Sequence, residues 1–234
     1  MYSFNSTVRY SECDAHANLG IVPLINYLQD CSIFQSESLG LGINFMREHH
    51  FAWLLAAWEI EIEQLPRFQD PITISTWCYE LKRTFALRNY LISDADGRPL
   101  VRADSFWFTF DSLSQRPIRV PDSEQPYLSG EPRLDMPPMK RKLAVDGPYR
   151  EGAPILVGEQ HLDTNRHVNN AQYVLMALQA LGQDLAVHRI CVQYCQQAHL
   201  GDSILPRIHE FSGGQTVELC DRAGSPYAIV MLED

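Results

Sequence analysis

Apolar residues recur with the three-and-four spacing of an amphipathic helix in two places, each time after a polar loop. The first stripe is Ile21, Leu24, Ile25, Leu28 and Cys31, and the second is Ala171, Val174, Leu175, Leu178 and Leu181. Gly40 follows the first stripe and Gly182 closes the second, as glycine commonly does beyond a helix end. The pattern predicts one long helix in each half of the chain.

On either side of each predicted helix, apolar residues alternate with polar ones or form short apolar runs between turn residues. Both patterns predict β-strands. In the first half the predicted strands cover residues 2–10, 58–63, 71–79, 84–93 and 101–111. In the second half they cover residues 154–160, 187–198, 202–211, 215–220 and 227–232. The motif D-x-x-G-x-P, at 94–99 and again at 221–226, predicts a turn before the last long strand of each half.

The two halves therefore repeat each other. Asp14 and Asp163, which precede the two helices, are offset by 149 residues, whereas the two turn motifs are offset by 127. The first half thus carries about 22 additional residues, and LGINFMREHHFAWLLA is the candidate insertion. The repeat predicts an α+β fold, a tandem (double) hotdog in which each half is a long helix wrapped by a curved antiparallel sheet. Two unrelated α+β domains are the alternative.

Prolines mark a change of character between the repeats. They are Pro117, Pro121, Pro126, Pro132, Pro137, Pro138, Pro148 and Pro154. Such a stretch predicts a linker that crosses the surface. The predicted organisation is an N-terminal hotdog at residues 1–122, a proline-rich linker at 123–152 and a C-terminal hotdog at 153–234.

Composition and charge narrow the class of protein. The chain has 234 residues, 45% hydrophobic and 21% charged, as in ordinary globular proteins. A net charge of −10 argues against binding to nucleic acid or to an anionic membrane, because both need a basic face. The six cysteines form no C-x-x-C pair, the first residues do not resemble a secretion signal, and no apolar run is long enough to span a membrane. We therefore expect a cytoplasmic protein with reduced thiols.

The stretch HLDTNRHVNN at 161–170 concentrates candidate chemistry directly before the second helix. The first turn of a helix presents unpaired N–H groups and a partial positive charge, which can stabilise an oxyanion. His167, whose unperturbed pKa is about 6.5, suits proton transfer at neutral pH. Asn165 can orient a water molecule or the imidazole, and Asp163 can stabilise the loop or the imidazolium.

The same residues have a purely structural interpretation. Asp, Asn and Thr before a helix are ordinary turn and capping residues, so Asn169 or Asn170 can simply cap the helix beside a surface histidine. In the aligned first-half loop, DAHANLG, Asn18 stands where His167 stands and His16 where Asn165 stands. A duplicated fold with one active and one structural half would show this difference.

Together these residues make the chain resemble the acyl-ACP thioesterase family, in its shorter bacterial form, over roughly residues 4–232. The second-half loop resembles the family's D-x-N-x-H-V-N-N-x-x-Y signature, which carries over Asp163, Asn165 and His167 as catalytic positions. The segments DPITISTW at 70–77, ISDADGRP at 92–99 and RPIRVP at 116–121 also resemble it, as does the pair Lys82 and Arg83. The resemblance implies hydrolysis of fatty acyl-ACP to free fatty acid and holo-ACP. The first hotdog would shape the acyl pocket and the second would hold the catalytic residues.

The chain departs from the family pattern at one position. The family places a glutamate three residues past a tyrosine on the strand after the second helix, and this chain has Gln197 there, on the strand face predicted to carry Cys195. An amide cannot accept a proton as a base, but it can position a water molecule. We therefore expect Gln197 to orient the nucleophile while His167 acts as base. An acyl-CoA thioesterase and a non-hydrolytic acyl-binding hotdog protein are the alternatives.

The resemblance implies acyl carrier protein, with its phosphopantetheine-linked acyl chain, as partner. It implies no metal and no cofactor. Because this partner is acidic, a basic docking face is expected, with Arg133, Lys140, Arg141 and Lys142 as one candidate and Arg83 with Arg88 as another. Apolar candidates for the acyl pocket are Phe45, Met46, Phe51, Trp53 and Trp58. Asn169 and Asn170, at the helix start, are the predicted substrate-binding residues. A monomer and a homodimer are both compatible with an internal hotdog pair.

Overall fold

The apolar stripes fold into helices in the computed structural model, which describes residues 1–182 and 186–234. Helix α1 covers Ile21–Ser38, a short helix α2 covers Ile43–Glu48, and helix α3 covers Asn170–Leu181. The chain divides into two compact units, Met1–Met139 and Lys140–Asp234. In the described part of the chain, no helix combines the length and the apolar character needed to cross a membrane.

The first unit contains one antiparallel sheet. Its strands are β1 (Tyr2–Thr7), β2 (Phe51–Ile62), β3 (Pro71–Leu81), β4 (Ala86–Ser93), β5 (Pro99–Asp111) and β6 (Arg116–Ile118). They lie in the order β1-β3-β4-β5-β2, and β6 pairs with the far end of β5. Strand β2 begins at Phe51, seven residues before the predicted start, because the apolar run and the alternating segment after it form one continuous strand.

The core of the first unit lies between α1 and this sheet. Leu24, Ile25 and Leu28 are fully buried on the helix. Each buried side chain of this size contributes roughly 1.5–3 kcal/mol relative to exposure. On the sheet, Trp58 is fully buried, and its ring packs on Tyr90 with centroids 4.9 Å apart. The helix is therefore anchored by its predicted apolar stripe.

The second unit repeats this arrangement on a smaller scale. Its strands are β7 (Arg150–Glu151), β8 (Ile155–Leu156), β9 (Arg189–Tyr194), β10 (Ser203–Phe211), β11 (Gly214–Cys220) and β12 (Pro226–Glu233). The antiparallel order is β9-β12-β11-β10, with β7 and β8 both pairing with β10. Helix α3 packs on β10, β11 and β12, and buries Tyr173, Val174 and Met176 against them.

The predicted duplication is confirmed strand by strand. In the first unit β1, which precedes the helix, pairs with β3, and in the second unit β8, which precedes the helix, pairs with β10. The strand orders β1-β3-β4-β5-β2 and β8-β10-β11-β12-β9 then correspond. In both turn motifs the first aspartate accepts two backbone N–H bonds, at 2.9–3.0 Å for Asp94 and 2.8 Å for Asp221. The fold is the predicted tandem hotdog, and the alternative of two unrelated domains is wrong. The predicted insertion contributes α2 and the longer second strand of the first unit.

The proline-rich stretch packs against the first unit before the boundary between the units. A 3-10 helix at Asp122–Tyr127 inserts Glu124, which is fully buried and accepts a bond from Trp53 Nε1 at 2.8 Å. Further along, Trp77 Nε1 donates to the carbonyl of Pro132 at 2.9 Å. These bonds fix the stretch to the sheet, although the extent of the linker, residues 123–152, stays a prediction.

Candidate active site

The loop before α3 is organised around Asp163. An antiparallel bridge joins Leu162 to Val168, and the Asp163 N–H donates to the carbonyl of His167 at 2.8 Å. Asp163 Oδ1 accepts the backbone N–H of Asn165 at 2.8 Å and that of His167 at 3.1 Å. Such a side-chain-to-backbone turn is the usual role of aspartate in tight loops. Asp163 therefore holds Asn165 and His167 in one rigid loop.

His167 is half-buried at the end of this loop, and its ring lies against that of His199, with centroids 5.0 Å apart and planes at 68°. Burial lowers the pKa of His167, and the neighbouring His199 lowers it further, whereas the Asp163 carboxylate opposes both. A lowered pKa keeps the imidazole neutral at neutral pH. In that form it can accept a proton.

Helix α3 begins with an asparagine cap. Asn169 Oδ1 accepts the backbone N–H of Ala171 at 2.9 Å, and the Asn169 N–H donates to the carbonyl of His161 at 2.9 Å. The carbonyl of Asn170 accepts the Tyr194 hydroxyl at 3.1 Å. The capping interpretation of Asn169 is therefore confirmed, and the capped terminus directs the positive end of the helix dipole toward the loop.

Gln197 is not on a strand. Strand β9 ends at Tyr194, and the N–H groups of Cys195 and Gln196 both bond to the carbonyl of Tyr227, at 2.8 and 3.2 Å. The chain turns away from the ladder there, so the predicted alternation that placed Cys195 and Gln197 on one strand face is wrong. Gln197 is exposed in the loop that follows.

This loop is nevertheless tied to the start of α3. Ala198, next to Gln197, donates its N–H to the Tyr173 hydroxyl at 2.9 Å and accepts the Val168 N–H at 3.1 Å. The structure thus brings the loop of Gln197 beside the loop of His167. Asn165 is exposed, and its side-chain amide nitrogen lies 3.5 Å from Asp163 Oδ2.

His199 is a candidate that the sequence patterns did not single out. It belongs to the turn H-L-G-D at residues 199–202. The His199 N–H donates to Asp202 Oδ2 at 2.9 Å, and the Asp202 N–H donates to the His199 carbonyl at 3.0 Å. The first unit has the same turn, since the Arg67 N–H donates to Asp70 Oδ2 at 2.7 Å. Aligning R-F-Q-D with H-L-G-D would have revealed it.

The first-half counterpart of the active loop has the same backbone. The Asp14 N–H donates to the carbonyl of Asn18 at 2.8 Å, and Asp14 Oδ1 accepts the N–H groups of His16 and Asn18 at 2.8 and 2.9 Å. Ala17 has a φ of 63°, matched by 62° at Arg166. The aspartate is therefore a feature of the fold, and only the side chains around it distinguish the second loop.

Two of the six basic residues are not available to the predicted docking faces. Arg88 is buried, with its guanidinium bonded to Gln35 and Thr76 and stacked 5.1 Å over the Tyr127 ring, so its place in a docking face is wrong. Arg133 is bound to Asp104 at 3.2 Å and to two backbone carbonyls, which places it within the first unit. Lys140, Arg141, Lys142 and Arg83 are exposed.

The apolar candidates occupy different layers of the first unit. Trp58 is in the core, whereas Phe45 and Trp53 pack on a smaller cluster of buried residues that includes Leu41 and Tyr127. Phe51 is buried, with its ring edge-on to that of Phe45 at 6.3 Å. Within residues 1–182 and 186–234, no group of three or more histidine, cysteine and acidic side chains is arranged to hold a metal ion.

The fold and this loop define a class of protein: a double hotdog with an acid, an amide and a histidine at the start of its second long helix. Residues 1–125 match the model of the acyl-ACP thioesterase N-terminal domain, and residues 153–222 match that of the acyl-ACP thioesterase C-terminal domain. The chain therefore belongs to the acyl-ACP thioesterase family.

Individual proteins are similar to this chain in sequence or in fold. The chain is 26% identical over 236 residues to oleoyl-acyl carrier protein thioesterase 1 of Arabidopsis thaliana, an alignment covering 91% of this chain and 65% of that protein. It thus spans less than two thirds of the length of this relative. An acyl-ACP thioesterase from Bacteroides thetaiotaomicron has the same fold, with a TM-score of 0.87 at 23% identity, covering 99% of this chain and 96% of the other. The 12:0-ACP thioesterase from Umbellularia californica follows, with a TM-score of 0.82 at 17% identity and the same coverage.

Proposed function

We propose that this protein hydrolyses fatty acyl-ACP thioesters to free fatty acid and holo-ACP, as an enzyme of fatty acid biosynthesis. The observation that supports this proposal most directly is the rigid loop that holds a half-buried His167 beside the capped start of α3. Membership of the acyl-ACP thioesterase family supports the same substrate class. The second hotdog would carry the catalysis, and the first would shape the pocket for the acyl chain.

In this mechanism His167 is the general base. Its neutral imidazole takes a proton from a water molecule as the water oxygen bonds to the thioester carbon, and the carbonyl electron pair moves to the oxygen. The positive end of the α3 dipole stabilises that oxyanion. When the oxyanion collapses, the carbon–sulfur bond breaks, and the proton passes from the imidazolium to the sulfur of the phosphopantetheine arm.

The neighbouring residues position the reaction. Asp163 holds the loop through its two backbone bonds and faces the imidazolium with a negative charge. Asn165 and Gln197 orient the water or the imidazole through their amides, and Asn169 and Asn170 form the helix start that receives the substrate carbonyl. An amide at Gln197 suffices for positioning, because His167 supplies the base.

A thiol-release assay on a panel of acyl-ACPs of different chain lengths tests the proposal. We expect release of holo-ACP at a rate proportional to enzyme, with a preferred chain length, and its loss when His167 is replaced by alanine. Binding of acyl-ACP without thiol release would instead identify a non-hydrolytic acyl-binding protein, the alternative raised by Gln197 in place of the family's glutamate.

The partner would dock through exposed basic residues. Lys140 and Lys142 are exposed at the start of the second unit, and charge complementarity with an acidic carrier speeds association more than it strengthens the final contact. The double variant Lys140→Glu and Lys142→Glu should raise KM for acyl-ACP severalfold and leave KM for the matching acyl-CoA unchanged. A wild-type kcat/KM that is higher for acyl-CoA than for acyl-ACP would indicate an acyl-CoA thioesterase.

We also propose a cytoplasmic location, with the enzyme acting as a monomer or homodimer. All six cysteines are free thiols, a state that a reducing compartment maintains. Sedimentation velocity at two protein concentrations would distinguish the two assemblies.

A further inference from the structure

The mechanism above does not use His199, although this residue contacts the proposed base. The two rings meet edge to face at 5.0 Å between centroids. The bond from the Val168 N–H to the Ala198 carbonyl, at 3.1 Å, joins the two segments at the residues next to the histidines. The ring contact is therefore supported by backbone pairing.

The backbone of His199 is held independently of its ring. Its N–H and carbonyl are both bonded to Asp202, which closes the turn. The side chain itself is exposed to solvent. Substitution of the ring therefore leaves the bonds that shape the turn in place, which makes His199 a suitable position for testing chemistry separately from folding.

The first unit shows that the histidine pair is not required by the fold. There the equivalent residues, Asn18 and Arg67, form an antiparallel bridge at the same point of the loop. An amide and a permanent cation occupy the positions that two imidazoles occupy in the second unit. The pair of titratable rings thus belongs to the second unit alone.

The protonation of one histidine in such a pair affects the protonation of the other. Among the described residues, the charged or titratable groups that act on His167 are His199, from the adjoining turn, and Asp163, from its own loop. Asp202 is engaged by the backbone of His199, and Arg166 is paired with Glu159 on the exposed side of the loop. Two imidazolium ions about 5 Å apart disfavour each other by about half a pH unit or more, even at the dielectric constant of water.

We propose that His199 is a positioning residue for the hydrolysis, which keeps His167 in the neutral, proton-accepting form by placing a second imidazole against it. This role rests on the proposed function, because it acts through His167 as the base. His199 would thus be a functional residue in addition to Asp163, Asn165 and His167 of the loop.

The test compares three forms that differ in charge at one position. His199→Gln removes the charge, and His199→Arg makes it permanent, as at Arg67 in the first unit. For each form, the pH dependence of kcat/KM on acyl-ACP is measured, and the pKa of His167 is read from its imidazole proton resonance by NMR titration of the resting protein. His167→Ala identifies the resonance.

Relative to wild type, we expect the acidic limb of kcat/KM and the His167 titration to move upward by about half a pH unit in His199→Gln and not upward in His199→Arg. High salt should shrink the difference between the variants, because the pair is partly exposed. Arg166→Gln, which removes a nearby charge paired with Glu159, serves as the matched control and should leave the titration in place.

Equal losses of activity in both His199 variants, with an unmoved His167 titration, would overturn the inference and leave a structural role for the ring. Hydrolysis by wild type with no coupling between the histidines would refute the inference while the proposed function stands. Absence of hydrolysis by wild type would refute the proposed function, and with it the role of His199, even where NMR detects the coupling.

Discussion

The loops before α1 and α3 have one backbone and two different sets of side chains. Both are closed by an aspartate that accepts two N–H bonds, and both contain a residue with φ near 60°. The first loop then presents His16 and Asn18, and the second presents Asn165 and His167. The order of amide and histidine is reversed, so the histidine of the second loop lies at the half-buried end, beside the start of the helix.

This comparison separates what folding requires from what chemistry requires. The aspartate is present in both units, because it closes the turn in each of them. The histidine at the helix start, its contact with His199 and the asparagine cap occur in the second unit. In the first unit the residue that caps the helix is Gly20, which makes no side-chain capping bond. The chemical specialisation therefore resides in side chains placed on a duplicated scaffold.

The largest expected effect follows removal of the proposed base. His167→Ala should lower kcat by at least about a hundredfold, the usual worth of a general base. His16→Ala, which removes the histidine of the first loop, should leave kcat unchanged. Far-ultraviolet circular dichroism would show that both variants are folded. Equal kcat for His167→Ala and wild type would remove His167 from the catalytic machinery.

A smaller effect is expected at Asn165. Asn165→Ala removes one positioning group and leaves the loop bonds of Asp163 to the backbone intact, so kcat should fall by about tenfold, the equivalent of one hydrogen bond. Steady-state kinetics on the preferred acyl-ACP provide the measurement. A fall as large as that of His167→Ala would mean that Asn165 takes part in proton transfer itself.

The aspartates test the shared scaffold. Asp14→Ala and Asp163→Ala each remove the acceptor of two backbone N–H groups, and each should lower the free energy of unfolding by about 1 kcal/mol in urea titrations. Only Asp163→Ala should also lower kcat, because its loop carries His167. If Asp14→Ala reduced kcat equally, the distinction between the two loops would be lost.

The smallest change is expected at Gln197. Gln197→Glu keeps the length of the side chain and adds a carboxylate in an exposed loop, so activity on acyl-ACP should be retained or raised. The assay is kcat at several pH values above and below neutrality. Complete inactivation would show that the amide has a role that an acid cannot fill.

The sequence patterns predicted the features that depend on local spacing. The two helices, the hairpin turn motifs and the order of the repeat follow from apolar periodicity and from aspartate and glycine in turns. Asn169, which caps α3, is one of the two capping residues that the sequence predicts, because polar residues directly before an apolar stripe commonly cap helices.

The sequence patterns do not predict features that depend on contacts between residues distant in sequence. Strand β9 ends at Tyr194 because the next two N–H groups turn toward the carbonyl of Tyr227, a contact that periodicity cannot show. The sequence predicts that Arg88 is exposed in a docking face, yet Gln35 and Tyr127 enclose its guanidinium. His199 reaches His167 only through the turn that places both segments side by side.

The most direct test exchanges the distinguishing pair between the loops. In the double variant Asn165→His and His167→Asn, the second loop carries the side chains of the first, on a backbone that both sequences adopt. We predict normal folding and a rate of thiol release from acyl-ACP at least about a hundredfold below that of wild type. Release at the wild-type rate would contradict the claim that the side chains of the second loop, rather than its backbone, carry the hydrolysis.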